Sequence, residues 1–173
     1  CQEQGLNKEM EENVLNHLVS VFADLDITIT DESRIEHGFV LPCAGTSELD
    51  SSIIVIMVLD PEESTIIIHA VSSFAVPDDK MTSIVELVNR INRLCGNQHL
   101  FVDSQSKKCA FLHGIRLENG LLPKEEFLNA FRGIIANVLC WFPLLQELIM
   151  FGGVSSDLIR KRIPCYNDKT TIY

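Results

Sequence analysis

Positive charge is scarce in this sequence: 14 Lys and Arg stand against 24 Asp and Glu, a formal net charge of −10. A surface built for nucleic acid must neutralise phosphates with basic side chains, so no nucleic-acid partner is expected. Long apolar runs are missing too. The longest unbroken one covers residues 53–59, far short of the ~20 residues that span a bilayer, and no membrane association is expected. The opening stretch "CQEQGLNKEMEE" is polar and acidic, unlike a signal peptide. Cys1 would suit a processed lipoprotein, but no flexible tether precedes the helical pattern that starts near Leu6, and a trimmed chain is the expectation.

Signatures of chemistry are equally sparse. There is no C-x-x-C, no H-E-x-x-H, no P-loop, no dinucleotide fingerprint and no G-x-S-x-G elbow. Two C-x-x-x-H pairs, Cys95 with His99 and Cys109 with His113, come nearest to a zinc set. If the intervening hairpin turns around Gln105 and Ser106, Leu100 faces Phe111 and Val102 faces Cys109. Cys109 and His113 then share a face with Leu100 while His99 points the other way. Neither a metal nor a cofactor is expected. The six cysteines lack regular spacing and read as reduced, small hydrophobes of a cytoplasmic protein. A Cys/His hydrolase using, for instance, Cys43 and His69 stays open as an alternative, because triads assemble only in space. So does a small-ligand sensor with a pocket between sheet and long helix. "FGGVSSD" reads as a helix stop before it reads as an anion nest.

What is present is a pattern of elements. With 173 residues and 46% hydrophobic content, the chain can bury one core, so a single domain over residues 1–173 is expected. Residues 6–25 carry apolar side chains at helical spacing with an acidic outer face. "DITIT" and "IEHGFVLPC" read as strands parted by the turn "DESR"; "SIIVIMVLD" and "STIIIHAVSSF" read as an antiparallel pair joined by "DPEES". Pro77, Asp78 and Asp79 suit a helix start. Ile84, Val88, Ile91 and Cys95 make that helix's buried stripe, and Gly96 stops it in a left-handed residue. Asn89 and Asn92, three apart on one face, form a candidate structural polar pair tying the helix end to neighbouring backbone. "HLFVDSQSKKCAFLHGIRL" is a hairpin. A long buried helix opens at Pro123, must kink or break at Pro143, and stops at Gly152 and Gly153, with "VSSDLIRKR" a last short helix.

Two features point toward partners. Residues 1–86 hold 17 acidic and 3 basic side chains, whereas residues 87–173 hold 7 acidic and 11 basic. Such asymmetry suits head-to-tail or basic-partner contacts. Residues 53–59 are apolar at every position, yet a strand with one wet face should alternate. One parity (Ile53, Val55, Met57, Leu59) faces opposite to the other. Ile54, Ile56 and Val58 are therefore the candidate partner or dimer face, covered by a twin subunit or a captured protein segment unless helices bury both sides.

The order helix, four strands, helix, hairpin, long kinked helix resembles the YbjN family of bacterial proteins, often labelled sensory-transduction regulators. The matching features are Pro77 before the helix, Asn89-x-x-Asn92 near its end, the strand with Asp103, the second strand, "GLLPKEEF" and the stretch "WFP". The resemblance implies an α+β fold similar to the type III secretion chaperones: a twisted antiparallel sheet with helices packed on it. It further implies a non-enzymatic protein-interaction or regulatory role, a protein partner and a homodimer. It carries over no catalytic residue.

Overall fold

The computed structural model describes residues 8–43 and 53–153. Cys1, the loop "AGTSELDSS" and the suggested last helix "VSSDLIRKR" lie outside the described residues. Helix α1 (Lys8–Ala23) is followed by β1 (Arg34–Ile35), β2 (Gly38–Cys43), β3 (Ile53–Asp60) and β4 (Thr65–Ala75). Then come α2 (Met81–Asn92), the pair β5 (His99–Val102) and β6 (Lys108–Arg116), and α3 (Lys124–Phe151). The fold is α+β: one antiparallel six-stranded sheet in the order β1-β2-β3-β4-β6-β5, with helices packed on it. The register of the last hairpin sets Leu100 opposite Phe111 and Val102 opposite Cys109, as alternation requires.

Each helix buries the stripe its spacing dictates. α1 contributes Val14, Leu18, Val21 and Phe22; α2 contributes Ile84, Leu87, Val88 and Ile91. These join a core cluster with Val55, Met57, Ile66, Ile68, Phe111 and the inner side of α3. Phe22 meets Phe127 and Phe131 edge-on at 5.6 and 5.5 Å, and Phe142 of α3 stacks on Phe111 at 5.8 Å. At a bulge between β4 and β6, the buried hydroxyl of Ser72 replaces a ladder partner. It accepts from the Cys109 N–H (3.1 Å) and donates to the Phe74 carbonyl (2.7 Å). His37, in the turn between β1 and β2, reaches back to Glu11 of α1 at 2.5 Å. The hydrogen bond to Glu11 raises the His37 pKa above its ordinary value.

Four expectations need correction. "DITIT" forms no strand: residues 27–30 join no ladder, and β1 begins only at Arg34 after a short 3-10 turn, Asp31–Ser33. β propensity without a neighbouring strand yields no ladder. Asp78 and Asp79 fall in a 3-10 turn (Asp78–Lys80) that precedes α2, and neither caps that helix with its side chain. α2 ends at Asn92, so Cys95 packs on the core from the following turn. Of the kink or break expected at Pro143, the break does not occur, because α3 runs on through it to Phe151. Burial of Trp141, Phe142, Leu144 and Leu145 on both sides of the proline holds the helix against its lost hydrogen bond. By length and composition α3 could cross a membrane, a feature the unbroken-run criterion overlooks because polar residues interrupt it. Its apolar residues are the ones the sheet and α1 need, and ten of them are buried here.

Candidate functional site: the outer face of the sheet

The two parities of β3 divide cleanly. Ile53, Val55, Met57 and Leu59 are at most 3% exposed, whereas Ile54 is 38% exposed and Ile56 and Val58 are half-buried. The same split runs through the neighbours. Ile66, Ile68 and Ala70 of β4 enter the core, and Ile67, His69 and Val71 point away from it. Every sheet residue of the core cluster between β2 and β6 belongs to the inner parity, and all three helices contribute to that same cluster. Among the described residues, then, no helix covers the outer face. The first and last helices do not divide the two faces between them.

Register converts this into a surface. One row runs Val40, Ile56, His69, Leu112, His99 across five strands. The next runs Pro42, Ile54, Val71, Ala110, Phe101. Ala110 is only 3% exposed yet stands outside the core cluster, because Val71 and Phe101 flank it on the outer side. Charged groups sit at the strand ends: Asp60 on β3, Lys108 and Arg116 on β6. Within the rows the titratable groups are His69 and His99. Burial pushes the His69 pKa below its ordinary value, so the neutral ring is the form this face favours.

The sheet's edges are closed by particular residues. On β5, Asn92 Nδ2 donates to the Leu100 carbonyl (2.8 Å) and Asn92 Oδ1 accepts from the Leu100 N–H (2.7 Å). Asn89 is exposed on the same helix. On β2, Pro42 lacks the donor that an incoming strand would use. Recognition by strand addition at these positions is therefore hindered, whereas the apolar face lies open.

Among the described residues, the candidate thiols and imidazoles stand apart. Cys109 is fully buried, with its thiol pushed up to about 12, and Cys95 is pushed up to about 11 by burial. His99 stands on the outer face with Leu112, away from Cys109. Among the described residues no three metal-ligating side chains converge. Cys43 pairs with Ile53, three residues along β3 from the Ile56–His69 row, about 10 Å at strand spacing. His69 has no thiol neighbour in register on β3 or β6.

Neither a known family model nor any curated protein matches the sequence. Solved structures do match in shape. YbjN from E. coli, a proposed transcription regulator, superposes with a TM-score of 0.57 at 16% identity, over 77% of this chain and 90% of that one. ExsC, seen in its complex with ExsE, superposes with a TM-score of 0.52 at 14% identity, over 78% and 95%. The fold is that of YbjN and of the type III secretion chaperone ExsC. At such identities the likeness speaks for the fold alone.

Proposed function

We propose that this chain is a non-enzymatic protein-interaction or regulatory module of the cytoplasm, acting as one domain, whose outer sheet face packs against a second copy to form a homodimer. One observation carries the reading: two adjacent rows of mainly apolar side chains cross five strands with no described helix over them. A monomer rarely leaves more than a few hundred Å² of contiguous apolar surface uncovered. A stable homodimer needs about 800 Å² per partner, so these rows form the interface centre and the strand ends its rim.

A twofold axis parallel to the strands sets β1 and β2 of one copy over β5 and β6 of the other, so apolar rows meet apolar rows. The charges on these strands are few: Arg34 on β1, Asp60 on β3, Lys108 and Arg116 on β6. The complex of ExsC with ExsE is consistent with a protein-binding role for this fold. A Cys/His hydrolase fits poorly with thiols raised to about 11 and 12.

Sedimentation velocity on two single variants tests the reading. Ile56→Asp places a charge on the outer face and should leave a folded monomer where the wild type sediments as a dimer. Val55→Asp buries a charge in the core and should unfold the chain. A monomeric wild type, or unfolding of both variants, defeats the proposal.

A further inference from the structure

A second surface lies on the helix side of the sheet. β6 is nine residues long and β5 only four, so β5 covers β6 from Cys109 to Leu112 and stops. On its other side β6 stays paired with β4 out to Arg116. Antiparallel ladders alternate, and the N–H and C=O of Leu100 turn away from β6 to Asn92. The β5–β6 ladder bonds therefore fall on the His99–Leu112 and Phe101–Ala110 rows. Two residues beyond Leu112, the N–H and C=O of Gly114 project to that same side, where β5 has ended.

They border a groove of about 980 Å³ lined by loop 95–98, His113, Gly114 and one side of α3. Its walls are set in advance. Gln98 Nε2 donates to the Ala130 carbonyl (3.1 Å), and Asn137 Nδ2 donates to Gln98 Oε1 (2.6 Å). A side chain at position 133 would stand 2.5 Å from Gln98 Nε2, so glycine there keeps the amide in place. His113 Nδ1 lies 3.2 Å from the Asn97 carbonyl and ties the loop to β6. The carboxamides of Asn97 and Asn129 stand exposed around the opening. Glu126 supplies the one carboxylate, and neither Lys nor Arg lines the groove.

We propose that this groove binds an extended, lysine-bearing peptide segment of a partner protein, which continues the line of β5 and pairs with the main chain of Gly114. Unpaired strand groups are the template for such addition. The carboxamides suit the remaining peptide groups, and Glu126, the one charged side chain of the lining, selects a cation. The groove is independent of the outer face, since α3 forms its wall and packs on the opposite side of the sheet.

The probe is the capped peptide acetyl-Ser-Lys-Thr-Ser-amide, titrated into 15N-labelled protein. The expected result is a saturable shift of the Gly114 amide with slowed hydrogen exchange there. The same peptide with alternate main-chain nitrogens methylated should bind at least about tenfold more weakly, having lost its donors. Asn129→Trp, at an exposed helix position that keeps its fold, should fill the groove and abolish the shift. An unmoved Gly114 amide, an equal response to the methylated peptide, or shifts confined to His69 and Ile56 would overturn the proposal. Sedimentation of the wild type and of Asn129→Trp reports separately on the dimer, so either idea can fail without the other.

Discussion

The side chain of Asn92 and the main chain of Leu100 make a reciprocal pair, with the amide donating at 2.8 Å and accepting at 2.7 Å. One carboxamide thus serves as a one-residue substitute for a seventh strand. It also joins the last turn of α2 to the start of β5 across eight residues, which positions loop 95–98 between them. Asn92→Ala should cost about 1–3 kcal/mol, because a partly buried N–H and C=O lose their partners together. Urea unfolding reads the cost. Hydrogen exchange at the Leu100 amide should accelerate in the folded variant. An unchanged midpoint with unchanged exchange would show that water replaces the carboxamide freely.

His69 gives a pH dependence with a definite sign. Its folded pKa lies below the ordinary 6.5 because burial disfavours the charged ring. The unfolded chain therefore binds more protons than the folded one between those two values, and stability rises with pH across that window. Stability from this residue is intact above about 6.5 and declines as pH falls through the folded value. On β3 and β6 its register neighbours Ile56 and Leu112 carry no charge, and on its own strand neither do Ile67 and Val71. The nearest titratable group of that row, His99, stands two strands away. His69→Leu should flatten the pH dependence of the unfolding midpoint between pH 5 and 7, a window chosen around the free value. A variant whose midpoint still follows the wild-type slope would assign the dependence to other groups.

How much was legible follows from the range of each signal. Periodicity is local, so the order of helices and strands could be read, as could the parity that separates Val55 from Ile56. The Leu100–Phe111 register followed from one turn position and the two-residue period. What failed depended on distant partners. "DITIT" has the composition of a strand, but nothing in its own residues reveals that no strand lies beside it. Pro143 reads as a kink or a break, and the packing around Phe142 and Leu144 that excludes the break comes from other elements. The rest of the outer face, with His69 at its centre, was missed because it exists only once β4 and β6 are in register. Alternation in "STIIIHAVSSF" carried a faint trace of it. The groove beside Gly114 left none, since it arises from the unequal lengths of β5 and β6.

Cys95 and Cys109 should be inert. With the Cys95 thiol pushed up to about 11 against an ordinary 9.0, its thiolate fraction at neutral pH is roughly a hundredfold below that of a free cysteine. Cys109, at about 12, should be slower by about a further factor of ten. Labelling with a thiol-reactive probe on folded protein, followed by peptide mass spectrometry, should find both residues slow until denaturant is added. Rapid modification of Cys95 in the folded state would reopen a thiol-based activity. Replacing Cys95, Cys109 or Cys140 singly by Ala should change stability by on the order of 1 kcal/mol and no property beyond it.

Gly133 sets two effects against each other. Inside α3, Gly→Ala should by itself stabilise a helix by about 1 kcal/mol. Here the added methyl would meet Gln98 Nε2 at 2.5 Å, while that amide holds both the Ala130 carbonyl and Asn137. Gln98 is only 9% exposed, so it cannot swing to water without leaving its partners unsatisfied. Losing the two bonds should cost about 2–3 kcal/mol, which exceeds the helix gain. Gly133→Ala should therefore destabilise by about 1–2 kcal/mol, the difference of those terms. Gln98→Ala removes the obstruction, and in that background the same Gly133→Ala change should become neutral or stabilising. Urea unfolding of the two single variants and the double variant completes the cycle. A stabilising Gly133→Ala in the wild-type background would mean that Gln98 has room to move, and that the wall of the groove forms only when something fills it.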